Sequence, residues 1–471
     1  MITHEAGALH AGVSAPAWLP LPKDVNDLLQ PLWPASATKR DDGELWVGGL
    51  PVSAIAEQVG TPAYVIDEAD FRAKAKDFAG AFEAAFAQLG GAEVSYAAKA
   101  LFTVGIAKWL AADGLGVDVC SAGEYAIARR GGIEPSRITL HGNLKSDQQI
   151  QVALQEGVGR IVLDSLQEVD QVGAAAARLG VQASVWLRLS IGVEAHTHEY
   201  IATSHEDQKF GLAVADGTAF EAARRVMARP ELKLMGVHSH IGSQIFDTEA
   251  FTLACSRLVA SMVRIKHDLG WTIAELGLGG GYGVPYTCGQ YPQPVDQVAV
   301  GLAKAVEVAC RDHGLPVPKV SVEPGRAIAG PAGITLYRVG VVKDVTLDGG
   351  LSRMYVAVDG GMSDNVRAAL YGADYSATLA SRRSDADPRL ARIVGMHCEA
   401  GDILVKDEYL PADVAPGDLI AVPVTGAYCR SLSSNYNQAL RPPVVSVKDG
   451  QIHTMLRRET LTDLLATDQD A

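Results

Sequence analysis

The chain has 471 residues, 48% of them hydrophobic and 20% charged, with a formal net charge of −14. Such a length exceeds one ordinary core, so two domains are expected. The acidic balance, with no block of Lys or Arg, disfavours nucleic-acid and anionic-membrane partners, and solubility is its plainer meaning.

Residues 1–44 are rich in Ala, Pro and Gly. The opening MITHEAGALHAGVSAPAWLP lacks a basic n-region and a continuous apolar core, which argues against a signal peptide. WPASATKRDDGE reads as a linker, so 1–44 form an N-terminal extension lying over the surface or partly disordered. Segment 45–68 is expected to give strands to a β domain completed by 327–471. Between them, 69–326 alternates short β-rich runs with longer stretches of helical period.

Eight runs stand out in chain order: EVSYAAK, GVDVC, RITLHG, RIVLDS, SVWLRLS, LMGVHSH, ELGLGGG and KVSVEPG. TVGIAKWLAAD is the first helix candidate. EAFTLACSRLVASMVRIKHDLG is the clearest: Ala254, Leu258, Met262, Val259 and Val263 make one stripe, and Gly270 marks its end. Eight strand–helix alternations over roughly 250 residues suit a (β/α)8, TIM-like barrel. A doubly wound open sheet shows the same alternation, and the count of eight favours the barrel. After 327, strands such as GITLYRVGVVKDV, RMYVAVDGG, GDILVKDEYL, GDLIAVPV and PPVVSVKDGQ alternate with Asp-Gly and Pro-Gly turns, an all-β domain.

Six cysteines occur with no C-x-x-C pair and no zinc-ligand spacing. A reduced, cytoplasmic protein without a required metal follows.

In such barrels the active site lies at the C-terminal strand ends. There the runs place Lys99, then His141 and Asn143, then His238 and His240, then Gly279, Gly280 and Gly281, then Glu323 and Arg326. Each alone has a bland explanation. Lys99 could be a snorkelling surface residue. The glycines could be a turn, His240 a core residue, and Glu323 a structural partner of Arg326. Together they suggest more. Loops after the seventh and eighth barrel strands often bind phosphate, and consecutive glycines let backbone N–H groups approach it. A phosphate site beside a lysine suggests pyridoxal phosphate, whose aldehyde needs an amine. His240 would stack on the pyridine ring. Glu323 would favour the protonated ring nitrogen, because an opposite charge stabilises a charged group.

The stretches YAAKA, GVDVCSAGEYAIA, HGNLKS, QKFGL, GVHSHIGSQ, LGLGGGYG, VEPGRAI, SDNVRAALYGADY, HCEAGDIL and GAYCRSLSSNYNQALRPP occur in this order. Over about 45–445 the chain thereby resembles the diaminopimelate decarboxylase family. That family belongs to the barrel-type (fold-type III) pyridoxal-phosphate decarboxylases, with the ornithine and arginine enzymes. The resemblance implies that Lys99 holds pyridoxal 5′-phosphate, that His240 stacks on it, and that Ser243 lies near it. It implies that Gly280, Gly281, Gly325 and Arg326 bind phosphate and ring, with Glu323 at the ring nitrogen. Tyr428 would touch phosphate and substrate. Arg326, Arg367, Tyr371 and Glu399 would grip the far end of the substrate. Cys398, or a group that it orients, would return a proton to carbon, and its bland alternative is a small buried hydrophobe. In the family Cys398 and Glu399 come from the partner subunit, so a homodimer is implied.

The implied reaction is decarboxylation of meso-2,6-diaminoheptanedioate to L-lysine, the last step of lysine biosynthesis. Paired arginines suit a distal carboxylate, which an ornithine-type substrate lacks. The chain departs from the family pattern at Ala368, His397 and Ala400, where Pro, Pro and Ser are common, and these changes bear on loop rigidity around the substrate. Three other readings stand beside this one: another amino-acid decarboxylase or racemase on the same barrel, a non-catalytic pyridoxal-phosphate-binding protein, and a barrel with no cofactor. Glu323 argues against a racemase, which would want an arginine at the ring nitrogen. The β domain and HCEAGD argue against a bare binding protein.

Overall fold

The computed structural model describes residues 14–193, 209–346 and 352–470. Residues 1–13 of the extension and Gln208 of the QKFGL motif lie outside the described residues. The chain forms two compact units: one from Arg72–Gly283 and Pro292–Ala327, the other from Met1–Phe71, Val284–Tyr291 and Ile328–Ala471, each in its described part.

In the second unit, three short strands come first: β1 (Thr38–Lys39), β2 (Leu45–Val47) and β3 (Leu50–Pro51). They form a small antiparallel sheet. This corrects the reading of WPASATKRDDGE as a linker. Leu32, Trp33 and Ala37 are buried, and Asp-Asp-Gly is the turn of a hairpin. Gly43 sits at φ +78, and Arg40 N donates to Glu44 O at 3.0 Å across it. The turn chemistry that reads as a linker joins two strands instead.

Next comes β4 (Ala63–Asp67), buried along its whole length. The barrel unit follows with β5 (Ala92–Ala97), β6 (Gly116–Val119), β7 (Ile138–Leu140), β8 (Arg160–Leu163), β9 (Ala183–Ser190), β10 (Leu212–Ala213), β11 (Leu232–His238), β12 (Glu275–Gly277) and β13 (Lys319–Val322). All the pairings are parallel. The order β5-β6-β7-β8-β9-β11-β12-β13 closes on β5, with β10 added beside β9. The eight runs read from sequence are these eight barrel strands. They are apolar along their length because both faces are covered in a parallel barrel.

Four of the helices between them start on hydroxyl caps. Thr103, Ser121, Ser146 and Ser165 each accept a backbone N–H of the first turn, worth about 1 kcal/mol apiece. Helix Glu249–Leu269 buries Ala254, Leu258, Val259 and Met262, with Val263 half-buried, and ends on Gly270 at φ 70. Among the described residues no helix is long and apolar enough to cross a membrane.

The β unit is completed by β14 (Gly333–Thr346), β15 (Ser352–Val358), β16 (Thr378–Leu379), β17 (Pro388–Val394), β18 (Ile403–Pro411), β19 (Leu419–Pro423), β20 (Val444–Lys448) and β21 (Gln451–Leu456). As expected, the N-terminal segment supplies a strand: β4 lies between β14 (antiparallel) and β20 (parallel). Sequence reading missed β17, which joins β15 and β18. Its alternation is hidden because Arg392 is fully buried there, next to buried Arg353. Arg353 pairs with Asp407 at 2.9 Å, and Arg392 Nε donates to Lys406 O at 2.9 Å.

Asp364 is also buried in this unit. Its carboxyl accepts from Tyr337 and from Gly361 N at 2.8 Å. Burial pushes it up to about 7 despite these bonds. A raised carboxyl pKa means that the folded state holds a proton the unfolded state has lost, so its stabilisation fades as pH rises from the carboxylate range to about 7. Relative to wild type, Asp364→Asn is therefore expected to gain about 2–3 kcal/mol between pH 5 and pH 8. Urea unfolding at the two pH values checks this, and a constant difference would contradict it.

Candidate active site

The barrel unit gathers one set of polar groups at the C-terminal strand ends. After β5 the chain makes a short 3-10 turn, Ala98–Ala100, which presents Lys99 with its side chain exposed. The alanines around it have a packing reason. Ala97 N donates to Pro324 O at 3.2 Å. A Cβ on Gly325 would meet Ala97 Cβ at 3.0 Å and Ala100 Cβ at 3.1 Å. The backbone of EPGR thus lies directly on YAAKA, and larger side chains at either place would separate them.

The loops after β11, β12 and β13 are laced by backbone bonds. Ser239 N reaches Gly277 O at 3.1 Å, Ile245 N reaches Gly281 O at 3.0 Å, and Glu323 N reaches Gly279 O at 2.9 Å. Gly279 and Gly281 have φ of 66 and 112, backbone that favours glycine. Gly280 is required by proximity: a Cβ there would overlap the carbonyl oxygen of Glu323. Its N–H donates to His240 Nδ1 at 3.2 Å. His240 is half-buried. Burial, with Lys99 and Arg188 nearby, lowers its pKa well below the ordinary value, so the ring is neutral. Ser243 Oγ accepts from Arg326 Nη2 at 3.0 Å and from Nε at 3.3 Å.

Glu323 does not pair with Arg326. Its Oε2 lies 3.1 Å from His238 Nε2, and its Oε1 lies 3.1 Å from His141 Nε2. Burial alone would raise this carboxyl, but His238 and His141 outweigh it and hold the group well below the usual range. The ligand atoms of His141, His238 and Glu323 lie within 4.8 Å of one another. Linear spacing could not reveal this cluster, because three separate strand ends supply it. Asp118, 3.8 Å from His141 Nε2, was also missed.

The β unit carries a second set. Arg367 opens the short helix Arg367–Tyr371 and is buried. Its Nε donates to Tyr375 OH at 2.8 Å. The rings of Tyr286, Tyr371 and Tyr428 lie 5.3, 5.6 and 5.9 Å from the guanidinium carbon. Among the described residues no carboxylate pairs with it. Tyr375 and Tyr286 escaped sequence reading. They stand 5.0 Å apart edge to face, and Arg367 is their common neighbour. Tyr428 has φ 62, an uncommon backbone for a non-glycine residue.

Cys398 and Glu399 are exposed, so the buried-hydrophobe alternative for Cys398 falls. Glu399 Oε2 is 3.5 Å from Tyr436 OH. Buried His397 fixes this loop in a proline's stead: its N donates to Asp402 Oδ2 at 2.7 Å. Its ring nitrogens lie 2.8 Å from Ser363 Oγ and 3.2 Å from Asn437 Oδ1. Ala368 is buried and Ala400 exposed.

A sequence profile of the family described as "Pyridoxal-dependent decarboxylase, pyridoxal binding domain" matches residues 70–330, which makes the protein a pyridoxal-dependent decarboxylase by class. Similarity over nearly the whole chain narrows this. The diaminopimelate decarboxylase of Mycobacterium tuberculosis (strain ATCC 25618 / H37Rv) is 49% identical over 92% of this chain and 97% of its own length. That of Mycobacterium leprae (strain TN) is 47% identical over 99% of both. The crystal structure of diaminopimelate decarboxylase from M. jannaschii in co-complex with L-lysine superposes with a TM-score of 0.86, at 29% identity, over 92% of this chain and 98% of that one. The chain belongs to the diaminopimelate decarboxylase family.

The barrel rim fits a phosphorylated pyridine aldehyde. It offers an exposed amine, backbone without Cβ atoms at Gly279–Gly281 and Gly325, and a carboxylate held ionised. The glycine requirement gives a direct test. Gly280→Ala must displace the backbone at Glu323 and is expected to cost about 1–3 kcal/mol. Chemical denaturation of the variant checks the cost, and stability equal to wild type would show that the loop has room to give.

Proposed function

We propose that this enzyme binds pyridoxal 5′-phosphate through Lys99 and removes carbon dioxide from meso-2,6-diaminoheptanedioate, giving L-lysine. The observation that carries the reading is Glu323, a buried carboxyl at the barrel rim with an imidazole nitrogen 3.1 Å from each of its oxygens. A negative charge at a ring nitrogen retains the proton there. When bound, the cofactor supplies an electron sink for the pair left by the departing carboxylate.

The chain's own residues do the rest. Lys99 Nζ would hold the cofactor through its aldehyde carbon. His240, neutral, offers its flat face to the ring without competing for a proton. Gly280, Gly281, Gly325, Ser243 and Tyr428 receive the phosphate through backbone N–H and hydroxyl groups. Arg326, Arg367 and Tyr371 take the distal carboxylate, and Glu399 takes the distal ammonium. Arg367 suits that task because its Nη1 and Nη2 donate to no described residue, which leaves the fork open for a bidentate contact. The same cation would repel the amine of an ornithine-type substrate, which disfavours that alternative. Cys398 Sγ, exposed on the single chain, is the proton donor to carbon.

The reading extends to assembly and location. Met396, Cys398 and Glu399 stand in solvent on one loop, and a homodimer would cover groups whose chemistry needs water excluded. All six cysteines are free thiols, which suits the reducing cytoplasm.

Three experiments test this. Lys99→Ala is expected to lose lysine production and the absorption band of the lysine-linked cofactor. Borohydride trapping and peptide mapping of the wild type should label position 99, and a label elsewhere would overturn the assignment. Arg367→Ala is expected to raise KM for diaminoheptanedioate by about tenfold to a hundredfold, the worth of a hydrogen bond to a charged group. Its cofactor content should stay unchanged, and the reverse pattern would refute a distal-carboxylate role.

A further inference from the structure

Glu323 does not hold its charge alone. Inside the barrel a column of side chains leads to it. At one end, Arg160 Nε pairs with Glu275 Oε2 at 2.8 Å, and the guanidinium lies 4.7 Å from the ring centroid of Trp186. Trp186 Nε1 also donates to Glu275 Oε2, at 2.7 Å. The indole stacks on His238, centroids 6.2 Å apart and planes 20° from parallel. His238 meets His141 edge to face at 4.9 Å. Both imidazoles then reach Glu323, one at each carboxylate oxygen.

Room for this column is made by two strand glycines. A Cβ on Gly236 would lie 2.5 Å from Trp186 Nε1. One on Gly277 would lie 2.6 Å from Trp186 Cζ3 and 2.7 Å from His238 Cδ2. Neither glycine has positive φ, so turn geometry does not account for them. A glycine inside a strand marks a bulge or close approach by another group: a register shift lies beside Gly236, and at both glycines the ring column occupies the space a Cβ would take.

We infer that His141 and His238 are positioning residues: fixed by the Trp186 column, they hold Glu323 in place and ionised opposite the cofactor's ring nitrogen. The inference rests on the reading proposed above for Glu323.

The proton inventory agrees. An ionised carboxylate only accepts, so His238 Nε2 carries the proton. His238 Nδ1 has no hydrogen-bond partner, and a second proton there would be buried and unsatisfied. Burial accordingly lowers the pKa of this imidazole. His141 lies between Glu323 and Asp118, which together outweigh its burial and raise its pKa. Among the described residues the other charged or titratable neighbours of this cluster are Lys99, Arg188, His240 and Tyr282, with Cys120 and Glu124 beside Asp118. Glu323 therefore faces one imidazole biased toward its cation, His141, at ion-pair distance, and one biased toward neutral, His238, in hydrogen-bond contact.

The test compares His238→Phe, His238→Gln, Glu323→Gln and the double variant His238→Phe/Glu323→Gln. The readouts are the dissociation constant of pyridoxal phosphate from the apoenzyme and the pH midpoint of the visible band of the bound cofactor. Phenylalanine keeps a ring for the stack but removes the donor. It is expected to weaken cofactor binding about tenfold or more and to move the midpoint by about one unit. Glutamine offers an amide N–H from a side chain of similar reach and should restore most of both. In the Glu323→Gln background, His238→Phe should have little further effect, because the coupling runs through that carboxylate.

His238→Phe with both readouts unchanged, or with equal effects in the two backgrounds, overturns the inference. If His238→Phe does not fold, His141→Asn is judged by the same criteria. A wild-type enzyme that shows no lysine-linked band fails the reading of Lys99 and takes this inference with it. A loaded wild type with unaffected variants fails this inference alone.

Discussion

A carboxylate only 6% exposed must lose its charge or be given partners. Glu323 is given two, and much of the barrel interior is arranged around that choice. Taking a carboxylate out of water costs several kcal/mol even after relaxation. The hydrogen bond from His238 returns about 1.5–3 kcal/mol, so that imidazole by itself would leave the ion short. With a second imidazole, and cationic character on His141 drawn from Asp118, the charged form prevails. On the proposed reading, had the group neutralised, the ring nitrogen of the cofactor would face a carboxylic acid. Its proton would then be less firmly held, and so would the electrons left by decarboxylation.

The rest of the rim obeys a constraint of distance. Backbone must lie on backbone where the loops after β12 and β13 meet the end of β5. Small residues make that possible on both sides: Gly280 against the carbonyl of Glu323, and Gly325 against Ala97 and Ala100. The alanines around Lys99 thus have little to do with the lysine's own chemistry. They let EPGR sit low enough to carry Glu323 and Arg326 on one short segment, while Lys99 is the exposed residue of the Ala98–Ala100 turn. The stability of the rim and the placement of its charged groups arise from the same close approach.

This explains what the sequence could disclose. Eight parallel strands were legible, because continuous apolar runs separated by capped helices have few other uses. Lys99, His240 and Glu323 were legible through position at strand ends. The His141–His238 clamp was only half visible: the residues stood at the rim, but nothing linear pairs them with Glu323. The quiet signal was Gly236 and Gly277, glycines within strands where no turn needs them. In the β unit, β17 was hidden by Arg392, a charge on a face that periodicity expects to be apolar. The Asp41-Asp42-Gly43 turn was seen but misassigned, since hairpins and linkers share residues there. Tyr286 and Tyr375 could not be found at all, because a phenol beside an arginine leaves no trace in spacing.

Those tyrosines also decide what Arg367 is ready to bind. A buried guanidinium is usually matched by a carboxylate from its own chain, as Arg353 is by Asp407. Arg367 instead has one phenol oxygen on Nε and three aromatic rings within 6 Å. Each cation–π contact contributes about 0.5–2 kcal/mol toward holding the cation in place, and none of them cancels its charge. Tyr375 fixes the plane of the fork through Nε, which leaves the other two nitrogens aligned. An internal carboxylate would have stabilised the empty protein more and would have filled the fork. The aromatic surround keeps the arginine buried and oriented with no carboxylate partner among the described residues, and on the proposed reading that charge, more than shape, would select a substrate whose carboxylate lies two carbons beyond the reach of an ornithine side chain.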